Sequence, residues 1–422
     1  MTVKYIKSEV TQERRKGLNT FSSLHNIDYR YLWIGNFFNM AGYWIQLVTV
    51  GWLVWELSGS ATLVGIAGGL RSATFIVMGP LGGVLADRLD RRRLLMTTQT
   101  IMAVIVLLFA TLVALHWVRV WHAMVFSFLM GCGFTLNMPV RQSLVANTVP
   151  RKDLGNAIAL NSMAVNATRV IGPAAGGVLI VAFGAAGNFL LQAALYLCMV
   201  AIIFPMRVPY RDTASASDAS ALRNLQEGIQ YVWGDKTLFG LVILSFIPAL
   251  FVVPILQILP AFTDHVLHAQ ANIYGNLMAA YGLGGLLGSF TMAAFGGTIR
   301  NGWLGIIALS SATFLVILFS QSSQLWTAFV LLPMIGVSMM IFRVNNNTLV
   351  QTMAPDELRG RVMSLYQLDQ ALVPLGSFVL GVCADVFSTT TALAGSGILG
   401  LAVMFTVMAS VKQMRDLWRV SA

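Results

Sequence analysis

The sequence predicts an all-α polytopic membrane protein with twelve helices in two six-helix bundles, and three observations carry that prediction. Of 422 residues, 57% are hydrophobic and only 10% charged. A soluble domain carries about 25% charged residues, so this chain lacks the polar material to cover a water-facing surface. Apolar stretches long enough to cross about 30 Å of hydrocarbon follow one another almost without a break. Finally, the stretch from Asn137 to Gly177 returns 205 residues later: Pro150, Gly155 and Gly176 recur as Pro355, Gly360 and Gly381, with Leu144 and Val145 echoed by Leu349 and Val350. Solenoid repeats are only about 20–50 residues long, so a period of this length is a duplicated half.

Taken in order, the chain opens on a polar tail, 1–30, which lacks the apolar stretch and small-residue cleavage site of a signal peptide. Spans are expected at 31–56, 61–86, 94–116, 119–146, 155–181 and 186–206, forming a first bundle over 31–206. A link at 207–235 contains the small, polar run 211–220, then Leu222, Leu225, Ile229 and Val232 at helical spacing. That spacing predicts an amphipathic helix at the membrane surface, as a tether or as a regulatory contact. The second bundle, 236–411, holds spans at 236–262, 271–295, 302–321, 323–346, 358–383 and 390–411, and a tail follows at 412–422.

Charge placement orients these spans. The net charge of +10 is not spread as a nucleic-acid face. Basic residues gather in every second loop, at Arg88 and Arg91–Arg93, Arg151 and Lys152, Arg207 to Lys236, Arg300, and Arg359 with Arg361, while the intervening loops hold only Arg119. The positive-inside bias therefore puts both termini and the link in the cytoplasm. Cys132, Cys198 and Cys383 lie in apolar stretches without metal-ligand spacing, and no phosphate-binding G-x-x-x-x-G-K-[ST] loop occurs. The five histidines sit in the tail or near span ends and build no catalytic centre. Neither an enzyme, a metal site, a cofactor nor direct ATP use is expected.

After span 2 the chain reads Gly82-Gly83-Val84-Leu85-Ala86-Asp87-Arg88-Leu89-Asp90-Arg91-Arg92-Arg93. A carboxylate at the end of a span seeks water, an arginine or a helix N-terminus, and the glycine pair lets another helix approach with one. The stretch resembles the loop between the second and third spans of the major facilitator superfamily, G-x-L-A-D-R-x-G-R-K. Gly83, Leu85, Ala86, Asp87, Arg88, Arg91 and Arg92 fit, and Asp90 stands where the family usually has glycine. The resemblance implies that Asp87 faces the start of span 11 and, with Arg91 pairing nearby, latches the outward-open form.

In span 5, Gly172-Pro173-Ala174-Ala175-Gly176-Gly177 puts a proline inside a helix, favouring a bend that the glycines let pack closely. It also resembles the superfamily's fifth-span antiporter signature, G-P-x-x-G-G, found largely in exporters. Phe21 to Trp33, Asn137 to Gln142, Val149 to Asn156 and Ala354 to Val362 look like the branch of siderophore exporters related to the enterobactin exporter. Relatives of that branch include drug exporters.

Charges deep in a span are costly and are normally turned inward and used. Arg71 lies ten residues into span 2 from outside, Asp369 eleven into span 11 from the cytoplasm, and Arg169 past the middle of span 5. Spans 2 and 11 meet in the superfamily, so the resemblance implies that Arg71 and Asp369 come within reach of each other. They are expected either as a pair remade or protonated during the cycle, with Asp369 the leading proton site, or as a static ion pair. Arg169 either attracts an anionic cargo or bonds carbonyls freed by Pro173. Glu56, at the outer end of span 1, is a weaker proton candidate.

Asn36, Asn39, Tyr43 and Gln46 recur at spacings of three and four on one face of span 1. Asn137 and Arg141 end span 4, Gln257 lies in span 7, Asn345 and Asn346 end span 10 beside Arg343, and Tyr366, Gln367 and Gln370 lie in span 11. The resemblance implies that spans 1, 4, 7 and 10 line a central path, where these side chains would bind cargo. A mixed amide and aromatic path suits an amphipathic organic molecule. The expected protein is a monomeric bacterial inner-membrane exporter, proton-driven, for a siderophore-like or drug-like molecule; a lysophospholipid flippase of the same superfamily and a non-transporting receptor are the alternatives.

Overall fold

The described residues make twelve crossings in two six-helix bundles and contain no strand. The structure is a computed structural model and describes residues 21–209, 229–299, 302–355 and 358–410. Residues 1–20 of the first tail, the whole second tail, Arg300, Asp356, Glu357 and the Leu222 and Leu225 turn of the expected surface helix lie outside those residues. Ten helices among them are long and apolar enough to cross a bilayer.

Span 1 is Ile27–Ser58, span 2 Ala61–Arg88, span 3 Arg91–Ala114 and span 4 Val120–Asn147. Spans 5 and 6 are the two arms of Leu154–Ile203, which fold back at Gly184. Its φ of 69° and ψ of 176° belong to backbone space that only glycine occupies at low cost. Asn188 reports the reversal, because its Nδ2 donates to Gly176 O, twelve residues back, at 2.8 Å and to Thr49 Oγ1 at 2.9 Å. The expected bend at Pro173 leaves the dihedrals helical, so the one departure within these arms is Gly184. Gly184→Ala is expected to destabilise the fold by about 1–3 kcal/mol, read as a lowered unfolding temperature in detergent; an unchanged value would contradict the strain argument.

Span 7 is broken. Lys236–Phe251 and Ile255–His265 join at 252–254, where Pro248 and Pro254 remove backbone donors. Span 8 is Ala271–Ile299, span 9 Gly302–Ser320, span 10 Leu325–Met353 and span 12 Thr389–Ser410. Span 11 is also discontinuous, Arg359–Tyr366 followed after Gln367 and Leu368 by Asp369–Val386, so Asp369 opens a helix in mid-span.

Leu108, Phe183, Phe290 and Phe405 are exposed, as a lipid-facing surface requires. Inside the first bundle, Phe109 stacks on Phe126 at 4.1 Å, with Phe189 edge-on to both. Tyr29 donates to Ala157 O at 2.7 Å and Trp33 to Leu160 O at 3.0 Å, tying span 1 to span 5. The molecule thus has a basic end, which carries the arginine-rich turns, and a far end opposite it.

Candidate functional site

The two bundles meet at the far end, where hydrogen bonds cross the seam between them. Trp55 Nε1 donates to Asp264 Oδ2 at 3.0 Å, and Asp385 accepts from Ser60 Oγ (2.6 Å), Ala61 N (2.7 Å) and Thr62 N (2.9 Å). Asp385, at the end of span 11, thus caps the N-terminus of span 2 across the seam. The glycines of spans 5 and 8 allow a second contact, because a Cβ added at Gly177 would stand 2.8 Å from Gly275 Cα.

At the basic end, the turn after span 2 is held from within its own bundle. Gly82 packs on Leu136 and Pro139 of span 4. Arg91 donates to Asn147 Oδ1 at 2.6 Å, and Arg92 donates to Ile203 O at 3.3 Å and to Phe204 O. Asp90, unusual for the expected turn, caps span 3 by accepting from Arg93 N at 2.8 Å. Arg88 is exposed. The surroundings of the Gly83 and Asp87 side chains lie outside what the structure describes.

Away from the far-end contacts lies a central cavity of two lobes sharing Val253, Met339 and Arg343. The larger lobe is walled by Trp44, Arg169, Tyr281 and Arg343; the smaller by Ser245, Arg343, Tyr366, Asp369 and Gln370. Among the described residues Asp369 is the one carboxylate walling these lobes, and Arg343 is the charge it faces there.

Arg71 and Asp369 do not pair in this conformation. Arg71 lies over the Tyr43 ring at 5.4 Å and walls a smaller polar recess with Gln46, Ser127 and Gln257. Asp369 is bonded to its neighbour Gln370 at 3.3 Å. Glu56 is exposed and lines a far-end recess beside Trp52 and Gln270, away from the central cavity. Arg169 lies over Trp44 at 5.5 Å; its Nε finds no acceptor, so this nitrogen is not spent on a carbonyl freed by Pro173.

The span 1 face is divided. Tyr43 stacks on Phe134 at 4.4 Å and meets Trp44 edge-on at 5.4 Å, whereas the amides on the same face bind neighbouring helices. Asn36 bonds Asn161 at 3.3 Å, Asn39 accepts from Arg141, and Gln46 accepts from Gln192 at 2.6 Å. Asn137 accepts from Thr98 at 2.5 Å and Asn346 donates to Leu241 O at 3.0 Å. Asn345 is fully buried. Of the expected path residues, Tyr366 and Gln370 wall the central cavity and the buried amides bind helix to helix. Gly172 and Gly176 let span 5 pack on Trp44 and Ile45.

Tyr281 and Asp385 were not singled out by the sequence. Asp385 lies just past the expected end of span 11, two residues before the next turn, and that boundary position is its only signal. Asp385→Ala removes a charged cap, expected to cost the far-end contact about 1–2 kcal/mol. Cysteines introduced at that seam should therefore label about five- to thirtyfold faster; unchanged labelling would contradict the capping role.

A family model described as "Transmembrane secretion effector" matches residues 18–418. The chain is 25% identical over 371 residues to the staphyloferrin A transporter of Staphylococcus aureus, covering 87% of this chain and 92% of that protein. It is 25% identical to the multidrug efflux pump Tap of Mycolicibacterium fortuitum (82% and 86% covered) and 23% identical to the enterobactin exporter EntS of Escherichia coli (88% and 87%). Among solved structures, the nucleoside transporter NupG superposes with a TM-score of 0.72 at 15% identity, covering 90% of this chain and 98% of that one. An inward-facing, unoccupied bacterial homolog of the lysosomal transporter Spinster superposes at 0.67 and 16%, with 93% and 96% covered.

Proposed function

We infer that this chain, which belongs to the transmembrane secretion effector family of the major facilitator superfamily, is a proton-driven exporter of a siderophore-like or drug-like organic molecule. Membership makes it a secondary transporter of small organic molecules in a membrane, not an enzyme. The observation that carries the finer reading is a central cavity walled by both bundles, sealed at one end by Asp385, Asp264 and the glycine seam.

With the basic end in the cytoplasm, as the positive-inside bias expects, the cavity is loaded from within. The bundles then rock about it, the far-end contacts part, and the basic end closes. The Asp87 turn is the latch for that second state. Asp369 takes a proton from outside once the cavity faces out, loosening its attraction to Arg343, and gives it up to the cytoplasm after the return. Each step follows from differential affinity of cargo and proton for the two states. The relatives named for siderophores and for multidrug efflux support an amphipathic cargo.

The test is flux by purified protein in proteoliposomes against siderophores, dyes and lysolipids, with and without a pH gradient. Gradient-driven movement of a siderophore or dye is expected. Flux indifferent to the gradient would remove the proton coupling, and movement of lysolipids alone would replace the exporter with a flippase.

A further inference from the structure

The charges inside the membrane do not balance. Away from the span ends lie Arg71, Arg141, Arg169 and Arg343, against the single carboxylate Asp369. The first bundle supplies three of these guanidiniums and no interior acid, since Asp28, Glu56, Asp87, Asp90 and Asp153 all sit at span ends. Each of the three rests on a ring, Arg71 on Tyr43, Arg141 on Phe134 and Arg169 on Trp44, and the rings touch one another through Tyr43. Cation–π contact offsets part of the cost of keeping a guanidinium from water, and supplies no counter-charge.

The cavity wall is short of acceptors in the same place. Arg169 Nε and Trp44 Nε1 are both buried without a partner, and both residues wall the larger lobe, where Arg343 adds further donors. Native proteins rarely leave buried donors unpaired, and a group left so at a binding site is matched by what binds. A guanidinium fork beside an indole fits one kind of molecule, a planar anion whose oxygens accept from Arg169 while its apolar face lies against the ring.

We propose that the larger lobe, built by Trp44 and Arg169 with Arg343 opposite, is a recognition site for organic anions carrying a carboxylate or phenolate on a planar apolar body. The assignment rests on the transporter reading above and narrows its cargo class. An inside-negative membrane potential drives an anion outward, so this charge favours export.

The probe is 2-naphthoate, with its neutral analogue 2-naphthamide, in equilibrium binding to the purified full-length protein. Saturable binding of naphthoate at least about tenfold tighter than the amide is expected. Arg169→Gln should abolish that preference, Arg169→Lys should retain most of it by keeping the charge, and Trp44→Phe should weaken naphthoate without restoring the amide. Near-native unfolding temperatures for Arg169→Lys and Trp44→Phe keep the comparison meaningful if Arg169→Gln folds poorly. Equal binding of acid and amide, or an undiminished preference in Arg169→Gln, would overturn the proposal. So would binding of dodecyl phosphate but not naphthoate, which would assign the donors to a lipid headgroup. Binding needs no gradient, so an absence of proton-driven flux would remove the exporter reading while leaving this result standing.

Discussion

Asp369→Asn will abolish transport driven by a pH gradient while leaving exchange of cargo across the membrane nearly intact. The amide keeps the size of the side chain and its position at the start of a mid-span helix, and removes only the titratable charge. Among the described residues Asp369 is the one carboxylate walling the central cavity, so the proposed coupling is assigned to it. An exporter whose cycle no longer requires a proton still exchanges cargo, because the two states remain available to the loaded protein. The measurement is counterflow against gradient-driven uptake in inverted proteoliposomes. Loss of both would mean that Asp369 holds the fold or binds cargo, and retention of both would remove it from coupling.

The second large effect concerns closure of the seam. A Cβ at Gly381 would stand 2.7 Å from Ala61 O and 2.7 Å from Thr62 Cα, across the two bundles. Both obstacles are backbone, and no rotamer change can relieve them. Close backbone approach is how membrane helices associate where no hydrophobic force draws them together. Gly381→Val must therefore push spans 2 and 11 apart at the far end, at a cost of about 1–3 kcal/mol that falls only on the closed state. Because about 1.4 kcal/mol is tenfold in an equilibrium constant, the closed population falls from several-fold to about a hundredfold, and transport falls with it. Gly395 has nothing within 4 Å of an added Cβ, and Gly395→Ala is the control expected to transport normally. Cysteine labelling at both ends separates a shifted equilibrium from a misfolded protein.

Most of the architecture was legible because a bilayer leaves the chain few choices. Each crossing needs about 20 apolar residues, and expected span 3 at 94–116 became Arg91–Ala114 while expected span 10 at 323–346 became Leu325–Met353. The breaks in spans 7 and 11 were not anticipated, although Pro248 and Pro254 were there to be read. Rotation of each helix about its axis was the hidden variable. Lipid and protein interior are both apolar, so Asn39 and Gln46 gave no sign of whether they faced the cavity or a neighbouring helix. They face Arg141 and Gln192.

The candidate site was read in pieces. Arg169, Asp369, Tyr366 and Gln370 were chosen for being polar in an apolar run, and they do wall the cavity. Arg71 was chosen by the same rule and rests on Tyr43, because a cation in a helix can be satisfied by a ring one span away and no spacing rule encodes that contact. Asp385 was missed because it sits where a carboxylate is cheap. Its role depends on the helix N-terminus of span 2, which only the fold brings to it.

The central claim is that two bundles alternate in closing about one cavity, with Asp385 holding one end and the Asp87 turn the other. Pulsed electron–electron distances between spin-labelled cysteines, one pair across each end in liposomes, test it most directly. Imposing a pH gradient with cargo present should lengthen the far-end distance and shorten the basic-end distance in the same molecules. Transport proceeding while both distances stay fixed, or both ends opening together, would contradict the account.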